Sequence, residues 1–341
     1  MLYIGLDYHL RRSSFCVLDE HGKKVLQREV VGSWIKVIKA LKEVKRSQGK
    51  RQQMAICIEA GCGYGFLHDE LRKLCRRVVV AHPGHLRLIF RSKRKNDRID
   101  AHKLASLLFL DQVPTVWVPD SDIRAWRQTI EYRNRLVRKR TRVKNEIRSL
   151  LNNYGIAQPR GLWTGKGVRW LMELEMPDQL SSLKLHMLVD ELDHHQTHVK
   201  QVERRLNRYS KSCPAVILLM TIPGIGVRTA EGLAAYIGDP KRFGSSSQAA
   251  NYFGIIPSLD SSAGKDRYGH ITKEGPPTVR RLLVEASWVS IRRSDKIKAY
   301  YERIMKGDPD RKKIAIVAVA HYLLRVSMGM LRTGELWNEA A

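Results

Sequence analysis

The chain has 341 residues, and its 61 Lys and Arg outweigh 34 Asp and Glu to give a formal net charge of +27. The length suggests two domains with a core that needs no disulfides, and the charge points to polyanionic partners. The five cysteines form no CxxC pair, which argues against a zinc ribbon or a disulfide framework and fits a reducing cytoplasm. We find no signal peptide and no stretch that reaches the roughly 18 apolar residues of a membrane span, so we expect a cytoplasmic protein without membrane contact.

Two predicted buried strands near the start of the chain each end in a carboxylate. The apolar runs 2–8 and 54–60 carry Asp7 and Glu59 at their ends. Around them the pattern predicts further strands at 12–19, 24–31 and 77–81, and helices at 34–44 and 64–75. A buried carboxylate is costly unless it is paired or bound to a metal. Backbone donors or arginines could satisfy each acid alone, whereas a metal explains both.

A second pair of carboxylates, Asp97 and Asp100, precedes the apolar run 104–110. With Asp97 as the N-cap of a helix and Asp100 one turn later, both side chains point to the same side. A plain helix start explains the pair taken alone. With Asp7 and Glu59 it completes a four-acid set that could hold two Mg²⁺ (or Mn²⁺) ions about 4 Å apart on a phosphodiester. The set resembles the D-E-D-D site of RuvC-type enzymes, so we expect an α/β RuvC/RNase-H-like domain over residues 1–118.

A long, strongly basic helix is predicted from residue 122 to residue 149. Residues 121–150 hold ten Lys and Arg against three acids, and the apolar positions can form a single stripe. A solvated helix face is one interpretation, but a nucleic-acid surface explains the one-sided charge better. Lys93 to Lys95, ahead of the acid pair, either lie in solvent or follow a phosphate backbone. The helix residues that we expect to contact nucleic acid are Arg133, Arg135, Arg138, Lys139 and Arg142.

The segment 180–209 has apolar residues and one histidine at alternating steps of three and four, from Leu185 to Tyr209. This heptad spacing predicts a central helical hairpin or coiled coil over residues 119–212. The helix could pair with the basic helix as an antiparallel hairpin, or with another chain. On this basis we expect a homo-oligomer, a dimer or a tetramer.

Residues 223–226 read Pro-Gly-Ile-Gly and lie between two apolar segments. This pattern is typical of a helix-hairpin-helix, in which Gly224 and Gly226 would let backbone amides at the start of the second helix approach a DNA phosphate. An ordinary tight turn between helices is the alternative.

A serine-rich and glycine-rich stretch follows. It includes Ser-Leu-Asp-Ser-Ser-Ala-Gly-Lys at 258–265 and Gly-His-Ile-Thr-Lys-Glu-Gly at 269–275. Together with the four acids, the Asp-Arg-Ile-Asp-Ala string at 97–101, the basic helix, the Pro-Gly-Ile-Gly turn and a predicted helix at 311–331, this stretch resembles the DEDD transposases of insertion-sequence family one-ten, the bridge-RNA-guided serine recombinases. The resemblance runs over nearly the whole chain.

The resemblance implies metal-site roles for Asp7, Glu59, Asp97 and Asp100, and a nucleophile at Ser262 with Ser261 as the alternative. The family usually has Ser-Ser-Gly-Gly where this chain has Ser-Ser-Ala-Gly, which leaves the choice of serine open. It also has an Asn where this chain has Pro276, a change that we expect only to reshape a loop. A serine in a flexible loop needs activation to attack phosphorus. Metals beside it would supply that activation, and Lys265, Arg267 or Lys273 would neutralise the remaining charge.

The resemblance further implies a bacterial or archaeal transposase that breaks and rejoins DNA, at the element ends and at a target, through a covalent serine–DNA intermediate. A guide RNA from the element would be a partner, and an active site assembled between protomers would bring acids and serine together. Two other functions stay open: a RuvC-like nuclease that hydrolyses DNA with water, and a non-catalytic RNA- and DNA-binding protein. The expected last domain, 213–341, is a mainly α serine transposase domain that carries the helix-hairpin-helix.

Overall fold

The computed structural model of the chain describes residues 1–47, 53–90, 96–262 and 264–339. The chain divides into two compact units, Met1–Ser121 and Asp122–Ala341. The first is a mixed α/β unit and the second is mainly helical, as the sequence predicted. The basic run Lys93 to Lys95 and Ala263, which follows the two candidate serines, lie outside the described residues. The three-part division at residues 118 and 212 stays a prediction.

The first unit is built on a five-stranded sheet. Its strands are β1 (Leu2–Tyr8), β2 (Arg12–Leu18), β3 (Lys24–Val31), β4 (Met54–Glu59) and β5 (Arg77–Ala81), in the spatial order β3-β2-β1-β4-β5. The first three are antiparallel neighbours, whereas β1, β4 and β5 run parallel. A tight turn joins β2 to β3, because the Asp19 carboxylate accepts hydrogen bonds from the backbone N–H groups of His21 and Lys23, both at 2.9 Å.

The helices described in the first unit are α1 (Trp34–Ser47), α2 (Tyr64–Arg72), α3 (Pro83–Ile89) and α4 (Asp97–Phe109). Because side chains alternate along a strand, β1 serves both faces of the sheet. Leu2, Ile4 and Leu6 pack in one cluster with residues of α1 and α2. The odd-numbered positions of β1 face the other way, toward α4, and Asp7 is one of them.

Two details of the first unit correct the sequence prediction. The N-cap of α4 is Asn96, whose side chain accepts a hydrogen bond from the Arg98 N–H at 3.0 Å, and Asp97 is the first helical residue. Asn caps helices as well as Asp does, so the two neighbours could not be told apart by type. Helix α3 was not predicted, although Pro83 at its first position and the capping His82 are ordinary start signals.

The second unit begins with two long helices that form an antiparallel hairpin. These are α5 (Ser121–Asn153) and α7 (Gln179–Lys211), with the short α6 (Gly165–Glu173) between them. Ring centroids of Trp126 and Tyr209 lie 4.8 Å apart at one end, and the Tyr154 hydroxyl donates to Asp178 at 2.9 Å at the other. Of the two predicted arrangements, the structure has the hairpin within one chain.

The rest of the second unit packs around a single large core. Its elements are α8 (Pro214–Leu219), α9 (Val227–Ile237), α10 (Ser246–Tyr252), β6 (Pro257–Ser262), β7 (Lys265–Ile271), α11 (Pro277–Arg293), α12 (Asp295–Met305) and α13 (Lys312–Thr333). Leu233, Leu283 and Leu323, from α9, α11 and α13, are almost completely buried in this core. The antiparallel pair β6 and β7 stands out from it, and all six residues of β6 are exposed.

Helix α13 corrects the expectation that no segment is long and apolar enough to span a membrane. The helical stretch Pro309–Thr333 is 25 residues long and, by length and composition, apolar enough to cross a membrane; half of its most apolar part is buried. The core helix of a globular protein can have the same length and apolar composition. Helix α13 packs in the core of its unit through residues such as Val319, Leu323 and Leu324.

Candidate active site and nucleic-acid surfaces

The carboxyl ends of β1 and β4 bring Asp7 and Glu59 to the same edge of the sheet. The strands are parallel neighbours whose last paired residues are Leu6 and Ile58, so the two acids follow directly in register. Both predicted strand-end acids therefore occupy one edge, as parallel pairing requires.

Helix α4 brings the second pair of acids to this edge because it packs unusually close to β1. A methyl group on Gly5 would lie 2.0 Å from the Ala101 carbonyl oxygen and 2.3 Å from the Ala105 backbone nitrogen. Only glycine allows such an approach. Asp97 and Asp100 occupy the first turn of α4, immediately before the residues that touch Gly5, so this contact fixes their position beside Asp7.

The electrostatics show that the four acids interact. The Asp7 side chain is only 18% exposed, and the pKa of its carboxyl is raised to about 6, mainly by burial. The neighbouring His9 works against this shift, while the negative charges of Asp97, Asp100 and Glu59 contribute to it. The charged form of Asp7 is therefore disfavoured by its own surroundings.

His9 belongs to this cluster, and sequence reasoning missed it. Its Nε2 lies 3.5 Å from Asp7 Oδ1, and ligand atoms of Asp7, His9 and Asp97 all lie within 4.8 Å of one another. The backbone of His9 is held by Trp34, whose Nε1 donates to the His9 carbonyl oxygen at 3.1 Å. The Asp-x-His spacing at a strand end was the available signal, since alternate residues of an extended chain share a side.

A cleft of about 380 Å³ opens beside these groups and is lined by Asp7, His9, Trp34 and Glu59, among others. Carboxylate oxygens are the ligands that Mg²⁺ and Mn²⁺ prefer, and an imidazole nitrogen is compatible with Mn²⁺. A divalent cation would also relieve the repulsion that raises the pKa of Asp7. The residues present thus fit a divalent metal.

The serines lie on a β-hairpin rather than in a flexible loop, which corrects the sequence prediction. Ser262 ends β6 and is paired with Lys265, while Ser261 is paired with Asp266. Consecutive strand residues point to opposite faces, so the two serines face opposite sides of the hairpin. Arg267 lies on β7 opposite Asp260, and Lys273 follows the hairpin with a backbone φ of +58°. The Gly-rich composition predicted a loop, whereas the structure has two paired strands here.

The predicted cations of the basic helix have different surroundings. Arg138 and Arg142 line an open cleft of about 590 Å³ together with Arg281 of α11, which the sequence analysis did not single out. Arg135 and Lys139 are exposed. Arg133 instead faces α7, where its Nε donates to the Glu203 carboxylate at 2.8 Å and its side chain is 18% exposed.

The Pro-Gly-Ile-Gly turn connects α8 to α9, and its two glycines differ. Gly224 has a φ of +90°, and a methyl group there would lie 2.5 Å from the Ser290 backbone nitrogen, so this glycine is needed for packing against α11. Gly226 precedes α9 and faces open space. A DNA contact by this helix pair stays a prediction.

Two parts of the chain match known protein families. Residues 4–156 match a family described as DEDD transposase of IS110, and residues 217–302 match one described as transposase IS116/IS110/IS902 family. The transposase of insertion sequence element IS1328 from Yersinia enterocolitica is 28% identical over 289 residues, which covers 83% of this chain and 85% of that protein. A probable family 20 transposase from Pseudomonas aeruginosa is 28% identical, covering 82% and 85%. The transposase of IS1111A from Coxiella burnetii is 27% identical, covering 85% and 78%.

The mixed sheet and its clustered carboxylates lie within the residues that match the DEDD transposases, which defines the chain as an enzyme of DNA transposition. The chain belongs to the IS110/IS116 family of insertion-sequence transposases. Membership also implies a divalent metal dependence, which the carboxylate cluster fits.

Proposed function

We propose that this transposase breaks and rejoins DNA through a covalent bond between Ser262 and the DNA, directed by a guide RNA from its own element. The carrying observation is the crowding of Asp7, His9 and Asp97, whose ligand atoms lie within 4.8 Å of one another. Crowded carboxylates of this kind suit metal-assisted phosphodiester chemistry, because a cation between them offsets their mutual repulsion. The exposed end of β6 supports the choice of a serine nucleophile, since a DNA phosphate can approach it freely.

In the proposed step, the Ser262 Oγ attacks the phosphorus of a DNA phosphodiester. A bond forms between Oγ and phosphorus, the bond from phosphorus to one sugar oxygen breaks, and that oxygen takes up a proton while the serine hydroxyl loses one. Attack by the hydroxyl of a new strand reverses these changes, so the strand is rejoined and the serine is restored without ATP. Lys265 and Arg267, on the opposing strand β7, would neutralise the phosphate oxygens.

We assign the metal site to Asp7, Glu59, Asp97 and Asp100, with Mg²⁺ or Mn²⁺ as the ion. A bound divalent ion would supply positive charge to the reacting phosphate and lower the pKa of an attacking hydroxyl. The support from this chain is the raised pKa of Asp7, which reflects burial and the negative charge of the other three acids.

The nucleic-acid contacts are assigned to the exposed cations of the basic helix, to the start of α9 and to the hairpin. These are Arg135, Arg138, Lys139 and Arg142, then Gly224 and Gly226, then Lys265, Arg267 and Lys273; Arg133 is included with its ion pair to Glu203. Arg281 is added because it shares a cleft with Arg138 and Arg142. Such a surface suits a guide RNA and its DNA partners.

We further propose that the working form is a homo-oligomer.

The test is a covalent-adduct assay. The protein, purified with co-expressed element RNA, is incubated with Mg²⁺ and end-labelled DNA that spans the element junction, and the products are run on a denaturing gel. We expect label that migrates with the protein and disappears in Ser262→Ala but not in Ser261→Ala. The adduct should also vanish in Asp97→Ala and after chelation of the metal.

The alternatives give different products. An adduct that is lost in Ser261→Ala and kept in Ser262→Ala would move the nucleophile to the other face of the hairpin. Free cleaved ends without any adduct, abolished by Asp97→Ala, would contradict the serine scheme and indicate hydrolysis by water. Cleavage that proceeds equally well without the element RNA would contradict guidance by RNA.

A further inference from the structure

A cleft of about 560 Å³ lies at the base of the serine hairpin and has an apolar floor. Ile255 and Ile271 contribute to the floor from the hairpin side, and Val317 and Ala318 contribute from α13. Ile314 also lines it, although 59% of this side chain is exposed to solvent. Exposed apolar surface of this kind usually marks a binding site.

Two lysines stand at the rim of this apolar cleft. Lys313 comes from α13, and Lys273 follows β7. Lys273 is held in a left-handed conformation, φ +58°, with its backbone N–H donating to the Gly254 carbonyl oxygen at 3.2 Å. A non-glycine residue in this conformation costs free energy, and such residues concentrate at functional sites.

A second cleft, of about 380 Å³, adjoins the first and shares Tyr300 with it. Three cations line this basic cleft: Lys296 and Arg303 of α12, and Arg325 of α13. The rings of Tyr300 and Tyr322 are stacked there, with centroids 5.1 Å apart and planes at 26°. Arg303 and Arg325 each lie over one of these rings, at 5.1 and 5.9 Å.

The two clefts together combine an apolar pocket, two stacked tyrosines and five cations. Among the described residues, no Asp or Glu lines either cleft. Apolar ligands alone would gain nothing from the cations, and a free anion would gain nothing from the apolar floor. A single nucleic-acid strand uses both, because its bases stack on apolar and aromatic groups while its phosphates contact Lys and Arg.

We propose that the two clefts form one track for a single DNA strand, with an unstacked base in the apolar cleft and the sugar-phosphate chain along the basic cleft. The strand is the one that Ser262 attacks, and this part of the inference rests on the proposed function. Pro257 lines the apolar cleft and Ser262 ends the same strand five residues later. At about 3.3 Å per residue the separation is roughly 17 Å, a distance that a few nucleotides cover.

The first experiment fills the apolar cleft and measures binding of a fluorescein-labelled oligothymidylate of about 20 nucleotides by fluorescence anisotropy. The full chain carries Ser262→Ala throughout and no divalent metal is added, so binding is measured without strand cleavage. Ala318→Phe should weaken binding about tenfold, within the range for loss of one stacked base. Its folding is checked by thermal unfolding, and Ile314→Glu, at an exposed position, is a second variant with the same expected direction.

The second experiment uses a matched pair of lysines. Lys313→Ala should weaken binding about threefold and lower the slope of log affinity against log salt by about 0.7, the value for one lost phosphate contact on a single strand. Lys312→Ala removes the same charge from the neighbouring residue, whose Nζ lies 5.4 Å from the centre of the Trp288 ring. This control should change the affinity less than twofold.

Several outcomes overturn the inference. Wild-type affinity in both Ala318→Phe and Ile314→Glu would exclude a base from the apolar cleft. An abasic strand that binds as tightly as oligothymidylate would do the same. If oligouridylate bound more tightly than oligothymidylate and lost that advantage in Ala318→Phe, the track would belong to RNA. The binding experiments need no strand cleavage. The strand track can therefore be confirmed even if the covalent-adduct assay fails, and it can be refuted even if that assay succeeds.

Discussion

The acid edge of the first unit and the serine hairpin of the second are built in opposite ways. The Asp7 side chain is 18% exposed, and α4 is pressed against β1 at Gly5 so closely that no methyl group fits. In the hairpin, by contrast, all six residues of β6 are exposed and are paired in register with β7. One group of residues is positioned by packing and the other by backbone register.

This difference teaches what each half of the proposed reaction requires. Charged groups that bind a metal must be held before the ion arrives, since their repulsion would otherwise drive them apart. A nucleophile that joins and leaves DNA must instead be reachable. A two-stranded ribbon without a packed face is only marginally stable alone, so we expect the hairpin to gain order when DNA binds. If the contrast is correct, substitutions at the acid edge should change stability far more than substitutions in the hairpin.

The largest effect is expected at Gly5. Gly5→Ala should lower the free energy of unfolding of the first unit by about 3 kcal/mol or more, because the added methyl meets backbone atoms of α4 that cannot move aside separately. Hydrogen exchange of amides in β1 and α4 measures this. Gly329→Ala is the control: nothing lies within 4 Å of that methyl position in α13, so it should stabilise the second unit by up to about 1 kcal/mol. A tolerated Gly5→Ala would mean that packing does not position the acids.

Asp7→Asn should raise the free energy of unfolding of the first unit, whereas Gly5→Ala lowers it. The pKa of Asp7 lies at about 6 in the folded chain, against an ordinary value of 3.8. The folded state therefore binds more protons between these values, and its stability falls as the pH rises from about 4 to about 6. Removing the charge should stabilise the first unit by about 1–3 kcal/mol at pH 7 in a metal chelator. The gain should disappear near pH 4, and adding Mg²⁺ should stabilise the wild type but not the variant. Equal stability of both proteins at pH 7 would contradict the raised pKa of Asp7.

Arg133→Ala should change the free energy of unfolding by an intermediate amount. Its guanidinium donates to Glu203 across the α5 and α7 hairpin, so its loss should cost about 1–2 kcal/mol in the second unit. Because Glu203 already offsets the charge of this guanidinium, the slope of log affinity against log salt should fall by less than about half of one phosphate contact. Arg142 is 83% exposed and is paired with the exposed Glu146 of the same helix. Arg142→Ala should therefore cost less stability than Arg133→Ala and lower the salt slope by about one phosphate contact. Urea unfolding and anisotropy titrations against salt separate the two. Matching results for both variants would refute the distinction.

The smallest effect on stability is expected at Ser262. Ser262→Ala removes one hydroxyl from an exposed strand end, so the free energy of unfolding should change by less than about 0.5 kcal/mol, although the adduct should be lost completely. Thermal unfolding of wild type and variant in parallel measures this. A change above about 1 kcal/mol would show that the hydroxyl has a structural role in the hairpin.

The sequence predicted the parts of this molecule that depend on local pattern. Alternation and apolar runs located the five strands of the first unit, and heptad spacing located α7, because both signals reflect burial of one face. The placement of Asp7 and Glu59 at one edge followed from parallel pairing. The resemblance to a known family then predicted that the protein is a transposase.

What the sequence did not predict depends on contacts between distant residues. Gly5 reads as an ordinary strand residue until α4 is seen against it, and His9 gains its interest only from the distance to Asp97. Arg133 and Arg142 look alike in the basic helix, yet Arg133 pairs with Glu203 of α7 and is largely buried, whereas Arg142 pairs with Glu146 of its own helix and is largely exposed. The serine stretch looked like a loop because Ser, Asp and Gly are turn residues, and cross-strand pairing overrode that composition.

The close contact at Gly5 also has a genetic consequence. Glycine is the one residue without a β-carbon, so every amino-acid substitution at Gly5 adds at least the methyl group that the neighbouring helix excludes. A single such change displaces Asp97 and Asp100 together and weakens the fold at the same time. A copy of the insertion sequence that acquires this change would therefore lose its enzyme in one step, while the rest of its reading frame remained intact.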